Sequence, residues 1–184
     1  MPDIALRLFL SSDRNRSGRL HVSEVRSGRQ LAEFEALGRG SQGPGDTQLQ
    51  VQGNTPVGEY RVERIETTTN WAQSSYGPNG ALRLTPHSGN AEVAERVARR
   101  RGLLIHGGSV GGGGYWRGEG ELRATHGCVR LRNEDMRRLV AILSSAQSEN
   151  SSGAKTIPLQ VSLSVSDHNM SVELPIGFSA APSR

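Results

Sequence analysis

Cysteine occurs once in this sequence, and a single thiol cannot close an internal disulfide, so the fold does not depend on oxidation. Aromatic residues make up only 4% of the chain, and no apolar run approaches the roughly 20 residues that a membrane-spanning helix needs. A sorting signal is missing as well. The apolar stretch Ile4 to Leu10 is interrupted by Arg7, has no basic segment before it and no small-residue cleavage site behind it. Hydrophobic residues reach only 34% of the 184, yet a chain of this length can still bury a sizeable core if they share one face of its strands. One globular domain over residues 1–184 is the natural organisation.

What the sequence does have is glycine, 23 residues of it, together with a net charge of +4 and a pI near 10. The glycine indicates a turn-rich chain, and the charge suits acidic partners, anionic cell-wall polymers and nucleic acid among them. No basic stripe interleaved with aromatics supports nucleic acid.

Ile4, Leu6, Leu8 and Leu10 alternate with other residues, which is the period of a half-buried strand. Leu20 and Val22, then Leu31 to Leu37, read as further strands around the turn Arg26 to Arg29, with a Gly/Ser/Gln-rich loop from Gly38 to Asp46. The turn Thr55-Pro56-Val57-Gly58 feeds a strand from Glu59 to Ile65. Asn90 to Gly102 reads as a short helix capped by Asn90, followed by a buried strand Leu103 to Ile105 that ends at His106. Met136, Leu139, Val140 and Leu143 give Asn133 to Ser144 the spacing of an amphipathic helix. A polar linker is expected over 144–153 and a last alternating strand over 156–165, which puts the catalytic core at about residues 19–165.

The chemistry concentrates in Ile105-His106-Gly107-Gly108 and Thr125-His126-Gly127-Cys128-Val129-Arg130. A thiol becomes a competent nucleophile when an imidazole takes its proton, so one Cys with two candidate histidines is a sensible acyl-transfer site. The glycine beside Cys128 lets a substrate carbonyl approach backbone N–H groups. His21, His87 and His168 have no partner pattern and are expected to be structural or solvated, as is the basic run Arg99 to Arg101 with Arg96. The loop Gly111 to Gly114 is either a surface loop or a gate over the site.

These residues resemble the catalytic motif of the L,D-transpeptidase family: a His, a spacer, then Ser/Thr-His-Gly-Cys. The spacer Gly107 to Ala124 has 18 residues, and Arg130 fits the Asn or Arg that the family carries two residues after its Cys. Thr55-Pro56-Val57-Gly58-Glu59-Tyr60 is similar to the family's Thr-Pro-x-Gly-x-aromatic turn, and Gln30 to Gly40 to its second strand and following Gly. The resemblance implies a mostly β fold, a sandwich or partly open barrel with one or two short helices. It implies Cys128 as nucleophile, His106 as base, the Gly107 carbonyl as orienter of the His106 ring and His126 as a tuning residue. It further implies Thr125 bonding within the loop, the N–H groups of Gly127 and Cys128 as oxyanion donors, and Arg130 as a carboxylate partner or brace. The implied substrate is a peptidoglycan tetrapeptide stem, handled without metal or cofactor in the periplasm or cell wall. Because the chain starts with Met and runs straight into a strand, delivery by a secretion apparatus as an antibacterial effector, with a cognate immunity protein, is the expected route; a removed leader is the alternative.

Two other classes compete. A cell-wall cysteine amidase or peptidase would place its Cys before its His, the reverse of the order here, and a non-catalytic basic glycan-binding module would leave the Cys and His pattern unexplained. Separately, Asp13-Arg14-Asn15-Arg16-Ser17-Gly18, with Glu24, matches the spacing of a calcium-binding loop. Arg14, Arg16 and Arg19 repel a cation, and the flanks alternate like strands, so a polar hairpin turn is expected instead.

Overall fold

The computed structural model describes residues 3–68, 73–108, 116–148 and 157–164. The loop Gly111 to Gly114, His168 and residues 149–153 of the expected linker lie outside the described residues.

Alternation of large aliphatic side chains with polar ones dictates a sheet, and the chain folds into one of eight strands. These are β1 (Ile4–Ser11), β2 (Gly18–Glu24), β3 (Gln30–Ala36), β4 (Gly58–Glu66), β5 (Ala81–Pro86), β6 (Leu104–His106), β7 (Val129–Arg130) and β8 (Ile157–Ser164). Their order in space is β3-β2-β1-β8-β4-β5-β6-β7. β1 lies parallel to β8 and β6 parallel to β7, and the remaining neighbours are antiparallel. β3 and β7 are the two edges, and a bridge between Leu37 and Arg130 draws them together, with Leu37 N–H donating to Arg130 O at 3.0 Å and Arg130 N–H to Leu37 O at 2.9 Å. The sheet is thereby nearly closed, barrel-like and mostly β, as the resemblance implies.

Ile4, Leu6, Leu8 and Leu10 all point inward from β1 and are buried, although this strand precedes residue 19, where the catalytic core was expected to begin. They meet Leu20, Val22, Phe34, Tyr60, Val62, Leu82, Ile105, Leu159 and Val161 in one cluster. Burial of each such side chain contributes about 1.5–3 kcal/mol, so this cluster is the main source of stability.

Among the described residues, three helices accompany the sheet: the single turn α1 (Gln73–Tyr76), α2 (Gly89–Ala98) and α3 (Asn133–Ser148). On α3 the predicted stripe is buried at Met136, Leu139 and Leu143, and Ala146 extends it. That extra buried position explains why the helix runs to Ser148, through the first residues of the stretch expected as linker from Ser144. On α2 the N-cap is Ser88, not Asn90, which sits within the first turn and donates its side-chain amide to Gln48 Oε1 at 3.4 Å.

The Asp13–Gly18 segment is the hairpin turn between β1 and β2. Asp13 accepts from Arg16 N–H through its carbonyl (2.9 Å) and from Asn15 N–H through its side chain (3.0 Å). Arg14 turns inward, buried, and donates to Thr55 O (3.1 Å) and Gly38 O (3.5 Å). Arg14 thus ties the turn to the backbone at Gly38 and Thr55.

Candidate active site

His106 is the last residue of β6 and is buried, held where the strand leaves the sheet. The parallel register pairs Ile105 with Val129 and His106 with Arg130, so Cys128 falls one residue before the pairing begins, level with Leu104, and the two-residue offset puts it on the same face of the sheet as His106. Both side chains line a cleft of about 640 Å³, shared with Arg39, Ser75, Tyr76, Trp116, Thr125 and His126. Cys128 is half-buried and His126 lies exposed at the rim.

The loop carrying the thiol is pinned through its carbonyls. Thr55 Oγ1 donates to Gly127 O at 2.9 Å, and Thr125 Oγ1 donates to Cys128 O at 2.7 Å. Thr125 Oγ1 also accepts from the Gly127 N–H at 3.0 Å. The Gly127 amide thus makes its hydrogen bond inside the loop. Gly127 has φ +106°, and a Cβ there would collide with Gly53 O and the Arg100 guanidinium, so this turn requires glycine.

The imidazole is fixed just as firmly. His106 Nδ1 lies 2.7 Å from Gly107 O; a carbonyl only accepts, so the hydrogen bond requires the proton on Nδ1. Arg130 also donates to Gly107 O, donates to Ser75 O at 3.0 Å, and approaches His106 Nδ1 at 3.3 Å while stacking on Trp116 at 5.1 Å. Arg130 is therefore placed as a brace between the imidazole and the seam of the sheet. Gly108 follows, packed so closely on Trp116 that a Cβ would overlap the indole, and its N–H donates to Asn133 Oδ1 at 2.9 Å. The Tyr76 ring lies 5.1 Å from the His106 ring, tilted by 57°.

Burial and the neighbouring Arg130 charge push the His106 pKa down to about 3, against the pull of the Gly107 and Ser75 carbonyls. Burial pushes the Cys128 thiol up, while a backbone hydrogen bond from Leu104 and the Arg130 and Arg100 charges pull it back. Loss of solvation also lowers Arg130 to about 10. Burial thus favours the neutral form of both the thiol and the imidazole. Among the described residues, no cluster of His, Cys, Asp and Glu could hold a metal ion.

Sequence reasoning missed Thr55 as a clamp on the thiol loop, and also Arg39, Tyr76, Trp116 and Asn133. Arg100 it misjudged: the expected solvated residue is buried, donating to Asn54 O at 2.8 Å and Gly53 O at 2.9 Å, with a further bond to Gln48 O. The cause is the left-handed C-cap Arg99 (φ 52°), which ends α2 and turns the next residue off the helix surface. A basic run directly after a helix was the available signal, and burial is what it could not convey.

A buried strand-end imidazole and a thiol sharing one cleft on a nearly closed sheet define a Cys–His site. A family model for YkuD, the L,D-transpeptidase catalytic domain, matches residues 14–156, and the chain belongs to this family. The solved structure of Bd1075 from Bdellovibrio bacteriovorus has a similar fold, with a TM-score of 0.54 and 16% identity over 86% of this chain and 47% of that one. The chain thus spans about half the length of that protein. No curated protein matches the chain.

Proposed function

We propose that the domain is a cysteine acyltransferase acting on peptidoglycan tetrapeptide stems, with Cys128 as nucleophile and His106 as general base. The observation that carries this reading is the parallel β6/β7 register, which delivers His106 and Cys128 to one cleft while Gly107 O holds the imidazole through Nδ1. With its proton on Nδ1, the ring offers the Nε2 lone pair to the thiol. The thiol proton passes to the imidazole as sulfur attacks the carbonyl between the third stem residue and the terminal D-alanine, and the Cys128 N–H receives the developing oxyanion. Collapse of the tetrahedral intermediate breaks the peptide C–N bond; the departing amine takes the proton from the imidazolium, and a thioester remains on Cys128. An amine of a second stem then attacks the thioester, forms a new amide and returns the proton to sulfur by way of His106. A free D-amino acid as acceptor gives exchange, and water gives carboxypeptidase activity. Thr55 and Thr125 fix the loop by holding its carbonyls, His126 tunes the rim, and Arg130 braces His106.

The test is intact-mass spectrometry of the protein mixed with purified tetrapeptide stems, together with analysis of the muropeptides formed. A Cys128 adduct of the tripeptide acyl group and release of D-alanine are expected; cleavage at another stem bond, or turnover by the Cys128→Ala protein, would overturn the mechanism. Expression with and without an added export signal tests the proposed site of action and the effector role together. Periplasmic expression is expected to alter the wall and poison the cell, cytoplasmic expression to be tolerated, and Cys128→Ala to be harmless in both. Harmless periplasmic expression of an enzyme active in vitro would favour housekeeping cross-linking.

A further inference from the structure

Three arginines surround the thiol loop, and they differ in what their donors do. Arg100 is fully engaged with loop carbonyls, and Arg130 is engaged with Gly107 O and Ser75 O. Arg39 lines the same cleft with its Nε shielded from solvent and without a hydrogen-bond partner among the described residues, and no described carboxylate pairs with it. A shielded N–H with no acceptor is costly, so its retention calls for an explanation. Its backbone is not free to drift. Arg39 O accepts from Thr125 N–H at 2.9 Å, and Thr125 in turn holds Cys128 O, so the arginine is fixed to the thiol loop. Among the described residues, those that line the cleft include Arg39 and Arg130 but no Asp or Glu, so positive charge stands beside the thiol.

We propose that Arg39 is a specificity-determining residue that receives the free C-terminal carboxylate of the donor peptide, the group carried by the amino acid that departs when the thioester forms. This deepens the tetrapeptide reading above and rests on it. A carboxylate one residue beyond the attacked carbonyl balances the positive charge of the cleft, and the guanidinium end that lines it matches a carboxylate with two parallel hydrogen bonds. The enzyme would then require a chain end and reject stems whose terminus is amidated or extended.

The test compares binding of two synthetic tetrapeptide stems, one ending in D-alanine and one in D-alaninamide, to Cys128→Ala protein with Arg39 intact, as Arg39→Gln and as Arg39→Lys. Isothermal calorimetry should show the acid bound about ten- to a hundredfold more tightly than the amide when Arg39 is intact. Arg39→Gln should remove that preference by weakening the acid alone, and Arg39→Lys should restore part of it. An equal affinity for acid and amide in the presence of Arg39, a preference that survives Arg39→Gln, equal weakening of both ligands, or no binding of either peptide would overturn the assignment. Turnover of the acid stem by the otherwise unaltered enzyme is read separately: carboxylate-dependent binding without release of D-alanine would sink the acyl-transfer reading and leave the Arg39 site standing.

Discussion

The Asp13–Gly18 turn and the Thr125–Arg130 segment are both short polar loops with a recognisable motif, and they end in opposite roles. In the first, Arg14 points inward and donates to the carbonyls of Gly38 and Thr55, so the turn's charged side chain is spent on holding neighbouring backbone. In the second, threonine hydroxyls cap the carbonyls of Gly127 and Cys128 from behind, and the thiol is left facing the cleft. Side-chain spacing is similar evidence in both cases. What separates scaffold from site is which way the loop turns its polar groups, and Thr55 takes part in both, since its carbonyl accepts from Arg14 while its hydroxyl holds Gly127.

The contrast is broken most severely by removing the reactive pair. His106→Gln is expected to lower the rate of Cys128 acylation about a hundred- to ten-thousandfold, the usual worth of a positioned general base. His126→Gln, at the rim, should cost far less, and stopped-flow acylation of the two variants side by side checks the order. Next comes the shared clamp. Thr55→Val leaves Gly127 O without its donor and should cost about 1–3 kcal/mol in chemical denaturation as well as activity, because the loop that aims the thiol loosens. Arg14→Gln should lower the melting temperature and, because Arg14 holds the Thr55 carbonyl, slow acylation by less than Thr55→Val does.

A pH series sharpens the same distinction. The folded His106 value of about 3 lies below the ordinary 6.5, so as pH falls the unfolded chain takes up the proton first. The stability present above pH 6.5 is therefore lost progressively down to about pH 3, by up to about 1.4 kcal/mol per unit. Denaturant titrations in that window should show a flatter acid limb for His106→Gln than for the unaltered protein. The smallest effect is an expected null: calcium at millimolar concentration should leave the melting temperature unchanged, and a clear rise would mean that the Asp13–Gly18 turn binds the cation.

Much of this was legible in the sequence because it depends on period and on local chemistry. β1 is readable from Ile4, Leu6, Leu8 and Leu10 alone, α3 from Met136, Leu139 and Leu143, and the placing of His106 at a strand end from the run before it. The Thr-His-Gly-Cys segment marked the site. The parts that escaped depend on contacts between residues far apart in the chain. The Thr55 hydroxyl is 72 positions from the carbonyl it holds, and Arg100 is 46 from Asn54. The internal bond of the Gly127 amide was hidden for another reason: one hydroxyl, Thr125 Oγ1, both accepts from Gly127 and donates to Cys128 O, and the sequence does not reveal how that rotor is shared.

The Leu37–Arg130 bridge ties the permanence of the site to the permanence of the sheet's weakest join. It rests on two reciprocal amide bonds at the margin of a two-residue strand, and Arg130, whose backbone makes them, also steadies His106 with its side chain. Local fraying at such a join costs less than melting the eight-stranded core. The amides of Leu37 and Arg130 should therefore exchange with deuterium together and earlier than those at the centre of β1. Warming the protein should silence the enzyme several degrees before it unfolds, and a binding partner that latched this join would govern activity without touching the thiol.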